Sequence, residues 1–337
     1  MLKIGTLELK SRLILAPMAG VTDLPFRLLA RRFGCEFAFI EMLNVRSLGH
    51  KSRRTLEMLT VDAQDRPLGV QILGKEPGFI LKGLDVLRKY KFELLDFNSA
   101  CPARKVVRRG EGAALMREPK KLQKLLKLIV KESPVPVTVK IRSGWDEKSI
   151  NAREVALLAE DAGVSAVFIH GRTRMQEYGG NVEYGVIRKV KKALKIPLVA
   201  SGDILSAQLA KRMFDETGCD GLAVARGALG NPWIFRQIED FLKSGKLPPE
   251  PGKEEIVKVM LEHLRANTDF YPEDVGVMKF RRFFCCYTKG FRKVRPLREK
   301  VSRAKAKKEM EGIILGCKGL ERVIPRQSAA KVPDILD

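Results

Sequence analysis

Cys101 follows the apolar run Leu94-Leu-Asp-Phe-Asn98 and precedes the polar, basic stretch Pro102-Ala-Arg-Lys-Val-Val-Arg-Arg-Gly-Glu-Gly112. A lone cysteine is most often a small buried hydrophobe. The segment after this one carries Arg104, Lys105, Arg108 and Arg109 with two glycines, and reads as a loop that covers a substrate. A thiol of ordinary pKa, about 8.5, is largely protonated at neutral pH and can donate a proton. Nucleophilic use is the competing role, although no base adjoins Cys101 in sequence and reach by His170 depends on the fold. Lys140 lies inside another apolar run, and an isolated buried ammonium is costly. It is therefore held in a structural ion pair or set beside an electron-rich ring. Gln71 carries both a donor and an acceptor, which suit a ring edge or backbone groups equally.

Each of these residues closes or interrupts a short aliphatic run, and the runs start at Leu13, Glu36, Gly69, Leu94, Pro136, Ala166, Pro197 and Gly221. Amphipathic segments separate them. In residues 121–131, for instance, Leu122, Leu125, Leu126 and Ile129 repeat at helical spacing while lysines fill the outer face. Nearly continuous apolar runs such as Ala166-Val-Phe-Ile suit parallel strands buried on both sides. Eight strand and helix units predict an α/β fold, a TIM (β/α)8 barrel, in preference to a doubly wound sheet. Such barrels place their chemistry at the C-terminal strand ends. There the sequence sets Ala16-Pro-Met-Ala-Gly20, Asn98-Ser-Ala-Cys-Pro102, Lys140-Ile-Arg142 and His170-Gly-Arg172, with Gln71 inside the third strand. Ser201-Gly-Asp203 and Ala225-Arg-Gly227 end the last two strands, where loops of this fold often hold a phosphate. A phosphorylated ligand is expected, and the Lys140 charge would favour a reduced, anionic flavin. Gly110-Glu-Gly112 begins like a dinucleotide fingerprint, but Leu115 stands where the third glycine belongs.

The barrel pattern ends near Lys243, which predicts a barrel over residues 1–243, a Pro- and Gly-punctuated linker over 244–252, and a helical domain with a C-terminal tail over 253–337. The chain has 63 Lys plus Arg against 40 Asp plus Glu, a net +23. From Lys279 to Lys308 thirteen bases face one acid, Glu299, with Phe280, Phe283, Phe284, Tyr287 and Phe291 interleaved as core. A lysine-rich surface needs no partner. Charge clustered on one helical segment reads instead as a phosphate-backbone footprint, with a membrane surface the weaker alternative. The six cysteines form no C-x-x-C pair and no zinc-spaced ladder, so neither disulfide nor metal is expected. No secretory h-region or long apolar stretch is seen, and a cytoplasmic location is expected.

Taken together, Leu15-Ala-Pro-Met-Ala-Gly20, Asn98-x-x-Cys-Pro102, Lys140-x-Arg142, His170-Gly-Arg-Thr-Arg174, Ser201-Gly-Asp-Ile204 and Arg226-Gly-Ala-Leu-Gly-Asn-Pro-Trp233 resemble the tRNA-dihydrouridine synthases. The resemblance runs from about residue 13 to 241, and the basic helical part looks like that family's tRNA-binding domain. It implies FMN-dependent reduction of uridine in tRNA to 5,6-dihydrouridine, with NADPH or NADH as reductant and no obligate protein partner. By the same resemblance Pro17, Met18 and Ala19 would line the isoalloxazine, Gln71 and Lys140 would meet its polar edge, and Ser201, Gly202, Asp203, Ala225 and Arg226 would surround the phosphate. His170 would contact the cofactor and, with Asn98, Arg142 and Arg172, hold the uracil or its nucleotide. Cys101 would be the proton donor, while Arg104 and Lys105 on the loop and Arg281 and Arg282 in the basic domain would meet RNA. The sequence departs from the family in two places, with Ala100 where Gly commonly precedes the Cys and Ser201 where Asn commonly precedes the Gly-Asp turn. An FMN enzyme acting on a free pyrimidine would share the barrel and cysteine without needing the basic tail. A binding-only RNA protein would not need Cys101, Lys140 and His170 intact.

Overall fold

A computed structural model describes residues 1–323, so the C-terminal tail expected to reach residue 337 lies outside the described residues. An antiparallel hairpin, β1 (Leu2–Ile4) and β2 (Leu7–Leu9), precedes a ring of parallel strands. The ring runs β3 (Leu13–Leu15), β4 (Phe37–Phe39), β6 (Leu68–Leu73), β7 (Leu94–Asn98), β8 (Val137–Arg142), β9 (Ala166–His170), β10 (Leu198–Ser201) and β11 (Gly221–Val224). It closes where Leu222 of β11 pairs with Leu13 of β3. A two-residue strand, β5 (Leu43–Asn44), continues the second stave against β6. Between Phe39↔Gly69 and Leu43↔Ile72 that stave holds one more residue than its partner, as in a bulge. The eight observed strands begin within one residue of the eight runs in the sequence. The hairpin, β5 and the short helices Val45–Gly49 and Arg53–Glu57 were not read there.

Strand alternation divides the apolar residues into two sets. One faces the surrounding helices and forms the large core, for example Leu95, Phe97, Val139, Ile141, Val167 and Ile169. The other fills the barrel: Leu2, Ile4, Leu7 and Leu9 of the hairpin plug its lower end, beneath Ile14, Phe37, Phe39, Leu94, Phe168 and Val199. Phe39 and Phe168 meet edge to face at 5.7 Å, and a side chain at Gly69 would collide with the Phe39 ring. Above this apolar plug the inward positions turn polar, beginning with Gln71, Asp96 and Thr138. The mouth is thus open and hydrophilic at the C-terminal strand ends only, as expected for this fold.

The barrel's last helix, Ile234–Ser244, stops at Gly245 in left-handed conformation, and Lys253–Phe270, Glu273–Tyr287, Arg295–Arg303 and Lys307–Gly316 follow. Their apolar faces share the barrel's outer core rather than forming a separate one, and Phe280, Phe283, Phe284, Tyr287 and Phe291 are all buried. Phe26 of the first barrel helix (Leu24–Arg32) stacks on Phe283 at 5.3 Å. Tyr271 and Lys279 both reach the buried Asp23 carboxylate, at 3.0 and 3.5 Å. Gly230 lets the loop after β11 approach the Cys286 backbone, where a side chain could not fit. No helix among the described residues is long and apolar enough to cross a membrane.

His263 sits in an aromatic box of Phe26, Phe280, Phe283 and Tyr287, with only the Tyr287 hydroxyl on Nδ1, at 3.2 Å. Burial pushes its pKa from 6.5 down to about 3. The unfolded chain takes up this proton below about pH 6.5 and the folded chain does not until about 3, so stability is lost as pH falls through that window. Between pH 7 and 5 the loss is about 2 kcal/mol. His263→Phe should remove this component. Urea unfolding of both proteins at pH 7 and pH 5 checks it, and an equal drop in the two would refute it.

Candidate active site

Strand register gathers the site. Gln71, Asp96 and Thr138 are successive partners across β6, β7 and β8, and two residues further on Asn98 pairs with Lys140. Arg142 pairs with His170, which pairs in turn with Ser201. All eight face one opening, since alternate residues of a strand share a face. Asp96, which the sequence reading passed over, lies in the first polar layer, 1% exposed. It accepts hydrogen bonds from Thr138 Oγ1 at 2.6 Å and Gln71 Nε2 at 2.7 Å, and burial pushes its carboxyl up to about 6. Its visible signal was a polar residue at alternate spacing to Asn98 within an otherwise apolar strand.

Lys140 donates to Ser201 Oγ at 3.0 Å. Burial lowers its pKa to about 8; the charge of Asp96 opposes the shift and that of Arg142 adds to it. The Ser201 hydroxyl in turn donates to the Ile169 carbonyl at 3.0 Å. His170 is held well below the usual imidazole range by burial first, then by Arg142, Lys140, Arg172 and Arg226. It is neutral at pH 7, and its buried Nε2 has no hydrogen-bond partner. Four cations around an unpartnered imidazole nitrogen form a place suited to an anionic, acceptor-rich ligand.

The last two strand ends are shaped by backbone. Gly202 has φ +120°, and a Cβ there would lie 2.8 Å from Val182 Cγ2 and 3.0 Å from His170 Cδ2. Gly227 packs on the Ile204 carbonyl, where no side chain fits. Asp203, at φ +50°, is gripped by Arg172 at 2.6 and 3.1 Å and by Arg226 at 3.0 Å. Arg172 also donates to the Gly179 and Gly180 carbonyls, both at 2.8 Å. Read in the sequence as a substrate ligand, Arg172 here builds the loop after β9. Arg142 behaves similarly, donating to the carbonyls of Ala100 at 2.7 Å and of Thr173 and Glu177 at 2.8 Å. That loop carries Tyr178, which sequence reasoning missed; its ring stands 5.6 Å from the Arg142 guanidinium, 5.0 Å from that of Arg226 and 6.4 Å from the His170 ring.

Cys101 is half-buried beyond the end of β7 and is fixed through its backbone. Asn98 Oδ1 accepts from the Cys101 N–H at 2.8 Å, and the Cys101 carbonyl accepts from Ala113 at 3.1 Å. Gly112 closes the loop at φ +59°; a Cβ there would come within 2.8 Å of the Cys101 carbonyl. Burial pushes the thiol pKa up, against smaller opposing effects of the Ala103 backbone and Arg142, so it is a protonated acid at neutral pH. Asn98 has no capacity left, because its Nδ2 donates to Gln71 Oε1 at 2.8 Å and to Met42 Sδ at 3.1 Å. Arg104 and Lys105 lie exposed on a short helix, Arg104–Val107, in the loop after Cys101. Across the mouth Pro17 is half-buried, Met18 buried and Ala19 exposed, in a turn held by Thr22 and by Glu41 on the Gly20 N–H. Ala225 is half-buried at the end of β11. Arg282 reaches this rim, its Nη1 3.6 Å from a Cβ built on Gly20, whereas Arg281 turns inward to the Ala304 carbonyl at 2.7 Å. Among the described residues no group of His, Cys, Asp and Glu could hold a metal ion.

A closed parallel barrel with a protonated thiol on one rim and a cationic pocket inside the mouth defines a TIM-barrel enzyme. Its backbone resembles that of morphinone reductase, with a TM-score of 0.53 over 74% of this chain and 90% of that one, at 13% identity. Residues 14–323 match the family model for dihydrouridine synthase (Dus), and the chain belongs to that family. A probable tRNA-dihydrouridine synthase of Rickettsia bellii is 41% identical over 86% of this chain and 89% of its own length. The tRNA-dihydrouridine synthase B of Pseudomonas aeruginosa is 41% identical over 83% of this chain and 84% of its own.

Proposed function

We propose that this enzyme reduces the C5–C6 double bond of uridines in tRNA to dihydrouridine, using FMN and a reduced nicotinamide, NADPH or NADH. The observation that carries the reading is the pairing of a protonated Cys101 with the buried cationic pocket around His170 Nε2, in a chain whose curated relatives are named for this activity. The residues fit FMN. His170 Nε2 needs a partner, Lys140 offers a charge to the ring edge, and Arg226 at the end of the last strand would meet the phosphate. Pro17, Met18, Ala19 and Ala225 would meet the ring and the ribityl chain. FMN held by these residues would, once reduced, be the hydride source for C6 of the uracil.

The chain's own part is to hold the base and move the proton. As charge develops toward uracil O4, Cys101 Sγ–H gives its proton to C5, and the raised thiol pKa keeps that proton available. A uridine stacked in folded RNA must leave its stack to enter a barrel mouth. The exposed bases of the helical part, with Arg104, Lys105 and Arg282 at the rim, would supply the backbone contacts that support this.

An absorption spectrum tests the reading. The purified protein, supplied with FMN if needed, should show flavin bands that bleach with anaerobic NADPH and return on adding unmodified tRNA. Bleached flavin indifferent to tRNA would support a small-pyrimidine reductase instead, and persistent absence of flavin binding would overturn the assignment.

A further inference from the structure

We propose that Asp96, a buried residue set back from the rim, is a positioning residue for Cys101, acting through a one-way chain of hydrogen bonds across Gln71 and Asn98. The argument rests on donors and acceptors. A carboxylate only accepts, so the Gln71 amide must turn Nε2 toward Asp96, at 2.7 Å. Its Oε1 then faces β7 and accepts from Asn98 Nδ2 at 2.8 Å. That fixes the Asn98 amide in turn, and its Oδ1 accepts from the N–H groups of Ala100 at 3.0 Å and Cys101 at 2.8 Å. Thr138 takes the second Asp96 oxygen at 2.6 Å.

Every bond in the run points its donor toward Asp96. If either amide turned over, Asn98 would present an NH2 to two backbone N–H groups, and buried donors facing donors are unsatisfied. Gln71, Asp96, Asn98 and Thr138 are all buried, so water is poorly placed to repair such a reversal. The strands make the run rigid, because Gln71, Asp96 and Thr138 are register partners. With Ala113 on the Cys101 carbonyl, both peptide groups flanking the thiol-bearing carbon are held. Asp96 is thus the single acceptor that decides the orientation of two amides and, through them, the seat of the thiol.

The catalytic meaning rests on the function proposed above, but the test needs neither RNA nor turnover. It reads amide hydrogen exchange across the segment holding Ala100 and Cys101, and the rate at which iodoacetamide modifies Cys101, identified by its peptide, in the protein as purified. Asn98→Asp alone sets a carboxylate oxygen against Gln71 Oε1. Exchange and alkylation should quicken by about tenfold, the factor set by one lost buried hydrogen bond. Asp96→Asn alone should stay near wild type, since the new amide can turn its NH2 to Thr138 and keep its oxygen on Gln71. The double variant should recover the protection lost in Asn98→Asp. The run then reverses: the amide at 96 donates to Gln71 Oε1, Gln71 donates to the carboxylate at 98, and that carboxylate still accepts both backbone N–H groups. Wild-type protection in Asn98→Asp, or a double variant no better than it, would overturn the proposal. A flavin that ignores tRNA while the cycle behaves as described would overturn the proposed function and leave the positioning role standing.

Discussion

Cys101→Ala should retain bound flavin and its reduction by NADPH, yet lose tRNA reduction by about 10²- to 10⁴-fold, the range general acid catalysis contributes. The two halves separate because the cationic pocket and the thiol come from different parts of the mouth. Lys140, His170, Ser201 and Arg226 belong to β8, β9, β10 and the turn after β11, whereas Cys101 hangs on the loop after β7. Removing Sγ leaves the hydrogen bonds to the Cys101 N–H and carbonyl in place, so the loop keeps its shape. Single-turnover oxidation of pre-reduced enzyme by unmodified tRNA measures the chemical step, and the nicotinamide half-reaction is the internal control. A wild-type rate of flavin reoxidation by tRNA in Cys101→Ala would eliminate the thiol as the acid. A pH profile adds a second check. Because burial raises the thiol pKa, the wild-type rate should hold on the alkaline side until pH passes above the ordinary thiol range, and fall as the proton is lost.

Much of this site was legible in the sequence because strands in a barrel announce themselves twice, by an apolar run and by the polar residues that end it. Lys140, His170 and Ser201 stood toward strand ends and Gln71 inside a strand, and the structure brings them to one opening. What the alternation could not reveal was which polar groups consume one another. Arg172 and Arg142 carry charge in any reading of the sequence. Only the three-dimensional path of residues 172–183 shows their donors engaged by the carbonyls of Gly179, Gly180, Thr173 and Glu177. Asn98 likewise faces the mouth but is filled from within by Gln71, Met42 and two backbone N–H groups. Asp96 escaped notice for the opposite reason: one acid inside Leu-Leu-Asp-Phe-Asn looks like an exception until the register sets it between Gln71 and Thr138. The hairpin that plugs the barrel contributes six strand residues, too few for periodicity to distinguish them from the strand after them. In the helical part composition misled in one respect, since not all thirteen bases from Lys279 to Lys308 are available to a partner. Lys279 is bound to Asp23, Arg281 to the Ala304 carbonyl and Arg298 to Thr288.

That division sharpens the second large prediction. The exposed bases Lys293, Lys300, Arg303 and Lys305 are among those of the cluster placed to release counterions, and replacing all four with Gln should weaken tRNA binding without disturbing the flavin. Each neutralised phosphate contact contributes about 0.7 to 0.9 to the slope of log affinity against log salt, so four lost contacts should flatten it by roughly 3. Over the fourfold change between 50 and 200 mM salt, a slope of 3 is a difference of nearly 10²-fold, making the loss steepest at low salt. The maximal rate at saturating tRNA should change far less, because none of the four residues touches the mouth. The matched control is Lys120, Lys121, Lys124 and Lys131 on the helix Pro119–Glu132, exposed on the barrel flank, where the same loss of charge should leave the slope almost untouched. Anisotropy titrations with labelled tRNA at several salt concentrations decide between them. Equal effects of the two quadruple variants would mean that net charge alone attracts the RNA, whereas an unchanged slope in the first and a flattened slope in the second would move the footprint to the barrel wall. The expected asymmetry would place it on the helices whose Lys279 and Arg282 already reach the rim beside Asp23 and Gly20, so that the surface holding the RNA backbone and the opening that admits one base lie on the same side of the molecule.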